Sequence, residues 1–482
     1  MAVNYEQELK QWISNEILAL ELLNAGSQLQ LEKSVELVLF RRKLFDKQIS
    51  SIINDHDFAQ KFAGIPITLE ITANLARAIS KLNLAPSRID LGRLAHEYLT
   101  EGNNFNGYDQ FVTAKLKDLI GLEKKVLVPR DVVLYGFGRI GRLAARILIE
   151  HDSGGHQLRL KGIVTREHAA DDLEKRASLL RKDSVHGRFA GVVEADKDRN
   201  AIVINGHTVK MISAKSPAEV DYNAHDINNA IIIDNTGVWR DEKGLSEHLK
   251  AKGSDIVILT APGKGDIPNI VYGVNHDGYT AEKTKIFSAA SCTTNAIVPV
   301  IKVIKDTLGV EKGHIETVHA YTNDQNLLDN YHKKARRGRG APVNMVITET
   351  GAGKAVTKIF PEMKGKLTSN AVRVPVPNVS LAIISLEVGK VTSVEEVNQI
   401  LRNASLYGSL CEQIDFSTSD ELVSSDVVGN SHGCEIDSKA TIVSDDGKNI
   451  VIYAWYDNEY GYTSQVNRLA KHLAGVKRLI YY

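Results

Sequence analysis

Cysteine is scarce in this chain, with only Cys292, Cys411 and Cys434 among 482 residues. So sparse a set excludes a disulfide framework and fits a reducing cytoplasm. An excess of charge is missing too, since Lys plus Arg and Asp plus Glu both number 59. That balance excludes a general nucleic-acid or polyanion binder and leaves room only for local basic patches. Long apolar runs are also absent. Stretches such as Ile256-Val257-Ile258-Leu259 fall far short of the roughly 20 residues a membrane helix needs. Met1 to Lys10 lacks the apolar core of a secretory signal, so a cytoplasmic location without a membrane partner is expected. No internal repeat or long low-complexity tract is found, and the length predicts two or three domains.

Residues 1 to about 125 differ from the rest. Ile71, Leu75 and Ile79 recur every four residues, and Leu91, Leu94, Ala95 and Tyr98 recur at helical spacing. Ser87 is the expected cap of that second helix and Gly102 its stop. No glycine-rich loop or His/Cys cluster occurs here, so an all-helical appendage (residues 1–127) is expected, packed on the main body or on a partner. Glu123 to Arg130 reads as a linker. Beyond it, strand-like runs (Val132 to Leu134, Leu158 to Val164, Ile231 to Asp234, Ile256 to Leu259) alternate with helical stretches, which predicts a parallel α/β sheet. From about Gly313 the strands lengthen and alternate with polar positions, as in His314 to Val318 and Val379 to Val388, which predicts a mixed sheet. Val466, Leu469, Ala470 and Leu473 predict one closing amphipathic helix.

Cys292 follows the short strand-like run at Phe287 and precedes an apolar helical face of Ile297, Val300, Ile301, Ile304 and Leu308. It is therefore expected in the first turn of a helix, where free N–H groups and the helix dipole favour a thiolate. Cys411 and Cys434 lack such a setting and read as ordinary buried thiols.

Asp131 to Tyr135 runs as a strand into Gly136-Phe137-Gly138-Arg139-Ile140-Gly141, followed by a helical stretch to Glu150. In that context the glycines suit a dinucleotide: Gly136 for the tight turn, Gly138 for approach to a pyrophosphate, Gly141 for close packing of helix on strand. The second strand of such a unit commonly ends in an acid that binds the adenosine ribose. Here it ends Val164-Thr165-Arg166-Glu167, and Arg166 is suited either to a 2′-phosphate or to solvent. The choice between NAD and NADP stays open. His319 ends another strand-like run, Thr317-Val318-His319, and a Cys–His pairing would supply a base for the thiol.

These stretches together resemble the glyceraldehyde-3-phosphate dehydrogenase family over roughly residues 130 to 475. Ala290-Ser291-Cys292-Thr293-Thr294-Asn295 resembles the family's active-site signature, and His319 follows at the family's spacing (319 − 292 = 27). The glycine loop, Asp183 to Gly187, Asn235 to Val238 and Trp455 to Tyr462 resemble further family stretches. The resemblance implies a Rossmann-type NAD(P)-binding domain (128–291, completed by a C-terminal helix at 457–482) and an α+β catalytic domain (292–456). It implies Cys292 as nucleophile and His319 as base. It implies cofactor contacts from Gly136, Gly138, Arg139, Ile140, Gly141, Arg166, Thr236, Thr260 and Asn458, the last fixing the nicotinamide carboxamide. Thr322 and Arg373 are implied to bind the substrate's phosphate, and Ser291, Thr293, Thr350 and Gly351 the attacking inorganic phosphate. Homotetramers of phosphorylating enzymes are the family pattern.

The chain departs from that pattern at Tyr135, where the family has Asn, and at Thr165-Arg166. Ala320 to Gln325, with the basic run Lys333, Lys334, Arg336, Arg337 and Arg339, is more similar to the photosynthetic and erythrose-4-phosphate branches. That run suits a neighbouring subunit or a solvated face. Oxidation of erythrose 4-phosphate to the free acid is therefore a second reading, and a binding or regulatory protein on a dehydrogenase scaffold a third. The first 125 residues resemble the extension of long bacterial forms.

Overall fold

The computed structural model describes residues 5–45, 47–64, 66–152, 154–166 and 172–482. The chain forms two compact units: Met1–Pro129 with Asp152–Gln157 and Gly475–Tyr482, and Arg130–His151 with Leu158–Ala474. Among the described residues no helix is long and apolar enough to cross a membrane.

Among its described residues the larger unit holds two eight-stranded sheets and a two-stranded one. In the first, strands 286–288, 254–259, 230–234, 130–135, 158–165 and 207–213 lie side by side in parallel, and 201–204 and 193–196 continue it antiparallel. Its central strands read as almost unbroken Val/Ile/Leu runs because both faces are covered. In the second sheet, strand Lys312–Ala320 pairs parallel with Leu367–Val374 and antiparallel with Ser380–Glu387. Ser380–Glu387 then pairs antiparallel with Asn449–Tyr456. This is the mixed sheet that the polar alternation predicted. The closing helix is Tyr460–Leu473, with Val466, Leu469, Ala470 and Leu473 all buried. It is shorter than expected, because Gly475 at φ 70° turns the chain out of the helix.

The smaller unit carries five α-helices, Tyr5–Lys33, Ile49–Ala63, Leu69–Ser80, Leu91–Glu101 and Gly107–Lys115, among its described residues. The periodic positions Leu75, Ile79, Leu91, Leu94 and Ala95 all reach its core. The expectation of an all-helical extension omits a four-stranded sheet, ordered 42–43, 36–39, 87–90 and 479–481. Its strands are too short to show alternation, and the last one comes from the far end of the chain. Ser87 accordingly opens a strand, and Asp90 caps Leu91–Glu101 by accepting the N–H groups of Gly92 and Arg93. Gly102 ends that helix as expected.

Candidate active site

Cys292 is the first residue of the helix Cys292–Leu308. Ile297, Val300, Ile301 and Ile304 bury completely and anchor it. Ser291 is the N-cap: its Oγ accepts the Thr294 N–H at 3.1 Å and bonds the Thr294 hydroxyl at 2.7 Å. Just before it, Ala290 sits at φ 56°, a left-handed conformation that strains a residue with a Cβ. The Ala290 N–H donates to Ser288 Oγ at 3.0 Å, and the Tyr462 hydroxyl donates to Ala290 O at 3.0 Å. This braced turn sets the direction of the thiol.

Strand register supplies the partner. His319 and Arg373 are directly opposed on neighbouring parallel strands. Cys292 Sγ lies 3.6 Å from His319 Nε2. His319 Nδ1 lies 2.7 Å from Ala320 O, which can only accept, and 3.0 Å from Arg373 Nη1; the tautomer that satisfies the carbonyl carries its proton on Nδ1 and turns the Nε2 lone pair to the thiol. Arg373 Nη1 donates to Ala320 O at 2.8 Å and to Thr322 Oγ1 at 3.1 Å. Arg373 Nε is buried and has no partner. A buried guanidinium N–H left without an acceptor is suited to a bound anion.

Burial works against the thiolate that the helix start favours. Burial first, and Arg373 second, push His319 down to about 3. Burial also pushes the Cys292 thiol up, while Arg373, Thr293 and the Cys292 N–H pull the other way. The helix start favours the thiolate, whereas burial of both groups favours a neutral thiol beside a neutral imidazole. Such an imidazole can take the thiol proton as the sulfur attacks.

The expected anion ligands fall into separate groups. Thr322 joins Arg373, and its hydroxyl also donates to Asp324. Ser291 and Thr293 stand at the start of the cysteine helix, with the Thr293 hydroxyl 2.9 Å from the Tyr456 hydroxyl. Thr350 and Gly351 form the start of a second helix, Ala352–Ile359, where Thr350 Oγ1 accepts the Ala352 N–H at 3.2 Å.

The glycine loop suits a dinucleotide. Gly136 holds φ 95°, and a Cβ there would stand 3.0 Å from Thr236 Cγ2. A Cβ on Gly141 would stand 2.3 Å from Gly136 O, while Gly138 faces open space. The backbone N–H groups of Arg139 and Ile140 open the helix Arg139–His151 beside that space. The Arg139 guanidinium is occupied by Glu459 and by Asp183, at 3.0 and 3.2 Å, so it pins the loop in place. Thr236 and Thr260 close two adjacent parallel strands through Asp234: Thr236 donates N–H and hydroxyl to its carboxylate, Thr260 to its backbone oxygen. Tyr135 packs edge-on against Trp239 and His248, and burial pushes its hydroxyl up to about 12. Thr165 is buried, whereas Arg166 is exposed at the strand end. Glu167 lies outside the described residues.

Asn458 follows the strand Asn449–Tyr456, whose register opposes Tyr456 to Ser380. The Ser380 hydroxyl donates to Asn458 Oδ1 at 2.9 Å and accepts the Ala320 N–H at 3.1 Å. The Asn458 amide is thereby oriented with its Nδ2 left to donate. Sequence reasoning missed Ser380, Tyr456, Tyr462 and Ala290. Period-two alternation with Ile450, Ile452 and Ala454 would have put Tyr456 inside; nothing local marks Ser380.

Residues 130–242 match the family described as the glyceraldehyde 3-phosphate dehydrogenase NAD binding domain, and residues 291–458 its C-terminal domain. The chain is 49% identical over 452 residues to a glyceraldehyde-3-phosphate dehydrogenase-like protein of Pseudomonas aeruginosa (strain UCBPP-PA14), covering 93% of this chain and 97% of that one. It is 40% identical over 346 residues to glyceraldehyde-3-phosphate dehydrogenase 2 of Bacillus subtilis (strain 168), covering 71% of this chain and 96% of that one. At 452 residues the first match is too long to leave out the extension. With its glycine loop, its Cys–His pair and both domains matched, the chain belongs to the glyceraldehyde-3-phosphate dehydrogenase family.

Proposed function

We propose that the protein oxidises glyceraldehyde 3-phosphate, with uptake of inorganic phosphate, to 1,3-bisphosphoglycerate. The observation that carries this reading is the group formed by Cys292, His319 and Arg373: a thiol and a base 3.6 Å apart beside a guanidinium whose buried Nε has no partner. A phosphorylated aldehyde matches both halves, its carbonyl carbon meeting sulfur and its phosphate meeting Arg373 and Thr322.

In the first step Cys292 Sγ bonds to the aldehyde carbon, and the thiol proton passes to the former carbonyl oxygen, giving a hemithioacetal. The Cys292 N–H at the helix start steadies that oxygen as charge develops. His319 Nε2 then takes the hydroxyl proton while a hydride leaves the same carbon, and a thioester remains on Cys292. A bound nicotinamide supplies the hydride acceptor. Asn458, with its Oδ1 tied to Ser380, offers its Nδ2 to the carboxamide. Phosphate held near Ser291, Thr293, Thr350 and Gly351 attacks the thioester carbon, and the sulfur leaves and regains a proton. Arg166, exposed at the adenosine-side strand end, supports acceptance of NADP besides NAD. A cytoplasmic homotetramer completes the reading.

The test follows reduced-cofactor formation with glyceraldehyde 3-phosphate and erythrose 4-phosphate, each with and without inorganic phosphate, and with NAD against NADP. Phosphate-dependent turnover of glyceraldehyde 3-phosphate is expected with both cofactors. Undiminished turnover without phosphate would overturn the phosphorylating reading in favour of a hydrolytic one.

A further inference from the structure

The last strand of the extension's sheet is the C-terminus of the chain. Leu479–Tyr481 lies parallel to the strand Ser87–Asp90, with Leu479 opposite Ser87, Ile480 opposite Arg88 and Tyr481 opposite Ile89. The Leu479 N–H donates to Pro86 O at 3.0 Å. Side chains alternate as strand addition requires: Leu479 and Tyr481 pack on the extension's core, while Ile480 turns outward, 51% exposed.

Polar contacts add a reading of residue type. Arg478 Nη1 meets Glu36 at 2.8 Å, with both side chains 5% exposed, although 442 residues separate them. The Tyr481 hydroxyl donates to Glu97 at 2.5 Å, and the Arg93 guanidinium lies 4.7 Å from the centre of its ring. The Tyr482 ring lies 4.4 Å from the Arg41 guanidinium and 5.5 Å from that of Arg88. A cation (Arg478), an apolar residue (Leu479) and two aromatics (Tyr481 and Tyr482) each meet a fitted partner, with Ile480 between them turned outward.

We propose that the extension is a strand-addition site specific for the chain's own C-terminal segment, Arg478–Tyr482, and that its sheet reaches the native state only when that segment is docked. Glu36–Leu39 and Ser87–Asp90 precede Arg478–Tyr482 by nearly 400 residues or more, yet their sheet waits for that segment. Until then Ser87–Asp90 is an open edge.

The test is hydrogen exchange of the segment 85–91 in three proteins: the full chain, a chain ending at Lys477, and a full-length double variant Arg478→Ala/Tyr481→Ala. Exchange in that segment should quicken roughly tenfold or more in both altered proteins, since its edge hydrogen bonds and packing are lost. A synthetic peptide of residues 477–482 added to the shortened chain should restore protection, and a scrambled peptide should not. Unchanged exchange in the double variant, or equal rescue by the scrambled peptide, would overturn the proposal. If the shortened chain fails to fold, the full-length variant still gives the reading.

Discussion

The two units use buried charge in opposite ways. In the extension, Asp90 is fully buried and accepts from the N–H groups of Phe40, Arg41, Gly92 and Arg93 and from the Arg41 guanidinium. Its carboxylate ties a hairpin turn to the start of a helix. In the dehydrogenase unit, Arg373 is half-buried, yet its buried Nε has no acceptor, and the nearby Cys–His contact is long at 3.6 Å. A satisfied buried charge fixes structure. One left short of a partner holds a place for something that comes and goes.

The comparison breaks most readily at His319. Replacing it with Asn should lower kcat by about 10²–10⁴-fold, the range of a lost general base, with little change in cofactor binding. Because the environment holds the imidazole neutral down to about pH 3, wild-type alkylation by iodoacetamide should not fall through a His protonation step near pH 6.5. Its rate should climb on the alkaline side, where the raised thiol ionises. An alkylation profile with a step near pH 6.5 would contradict this resting neutral pair.

Asp90→Ala strikes the satisfied side of the comparison. It removes the buried carboxylate that Arg41 faces, a loss of about 3–5 kcal/mol. Thermal unfolding should then show the extension melting earlier while turnover persists at low temperature. Simultaneous loss of both would mean that the units do not unfold separately. Arg373→Leu strikes the unsatisfied side. It should cost about 1.5–3 kcal/mol of substrate binding, roughly ten- to a hundredfold in KM, and little stability. A large drop in melting temperature instead would make Arg373 a structural residue like Asp90. Ser380→Ala is the smallest change, since it frees the Asn458 amide to rotate. About 1 kcal/mol, roughly fivefold in the cofactor's KM, is expected, with kcat for saturating cofactor nearly kept. An unchanged KM would show that Asn458 needs no such brace.

The legible parts of the molecule were those encoded by neighbours in sequence. The face from Ile297 to Leu308 marked the helix, and with it the place of Cys292. Strand, glycine loop and helix in succession marked the dinucleotide loop. Leu75, Ile79, Leu91 and Leu94 marked the extension's core. Asp90 was passed over in favour of Ser87, because an N-cap and the last residue of a short strand look alike without the sheet. At Cys292 the helix start that favours a thiolate is visible in sequence, but the burial that opposes it is not.

The sequence by itself determined the local elements and the identities of the reacting groups, because periodicity, caps and turn glycines act within one or two helical turns. Only the tertiary structure decided the rest. Parallel register set Arg373 opposite His319, an antiparallel pair carried Ser380 to Asn458, and chain closure brought Arg478 to Glu36 across 442 residues. Those contacts depend on strand pairing and desolvation, which are properties of the folded assembly of elements and leave no local trace in the chain.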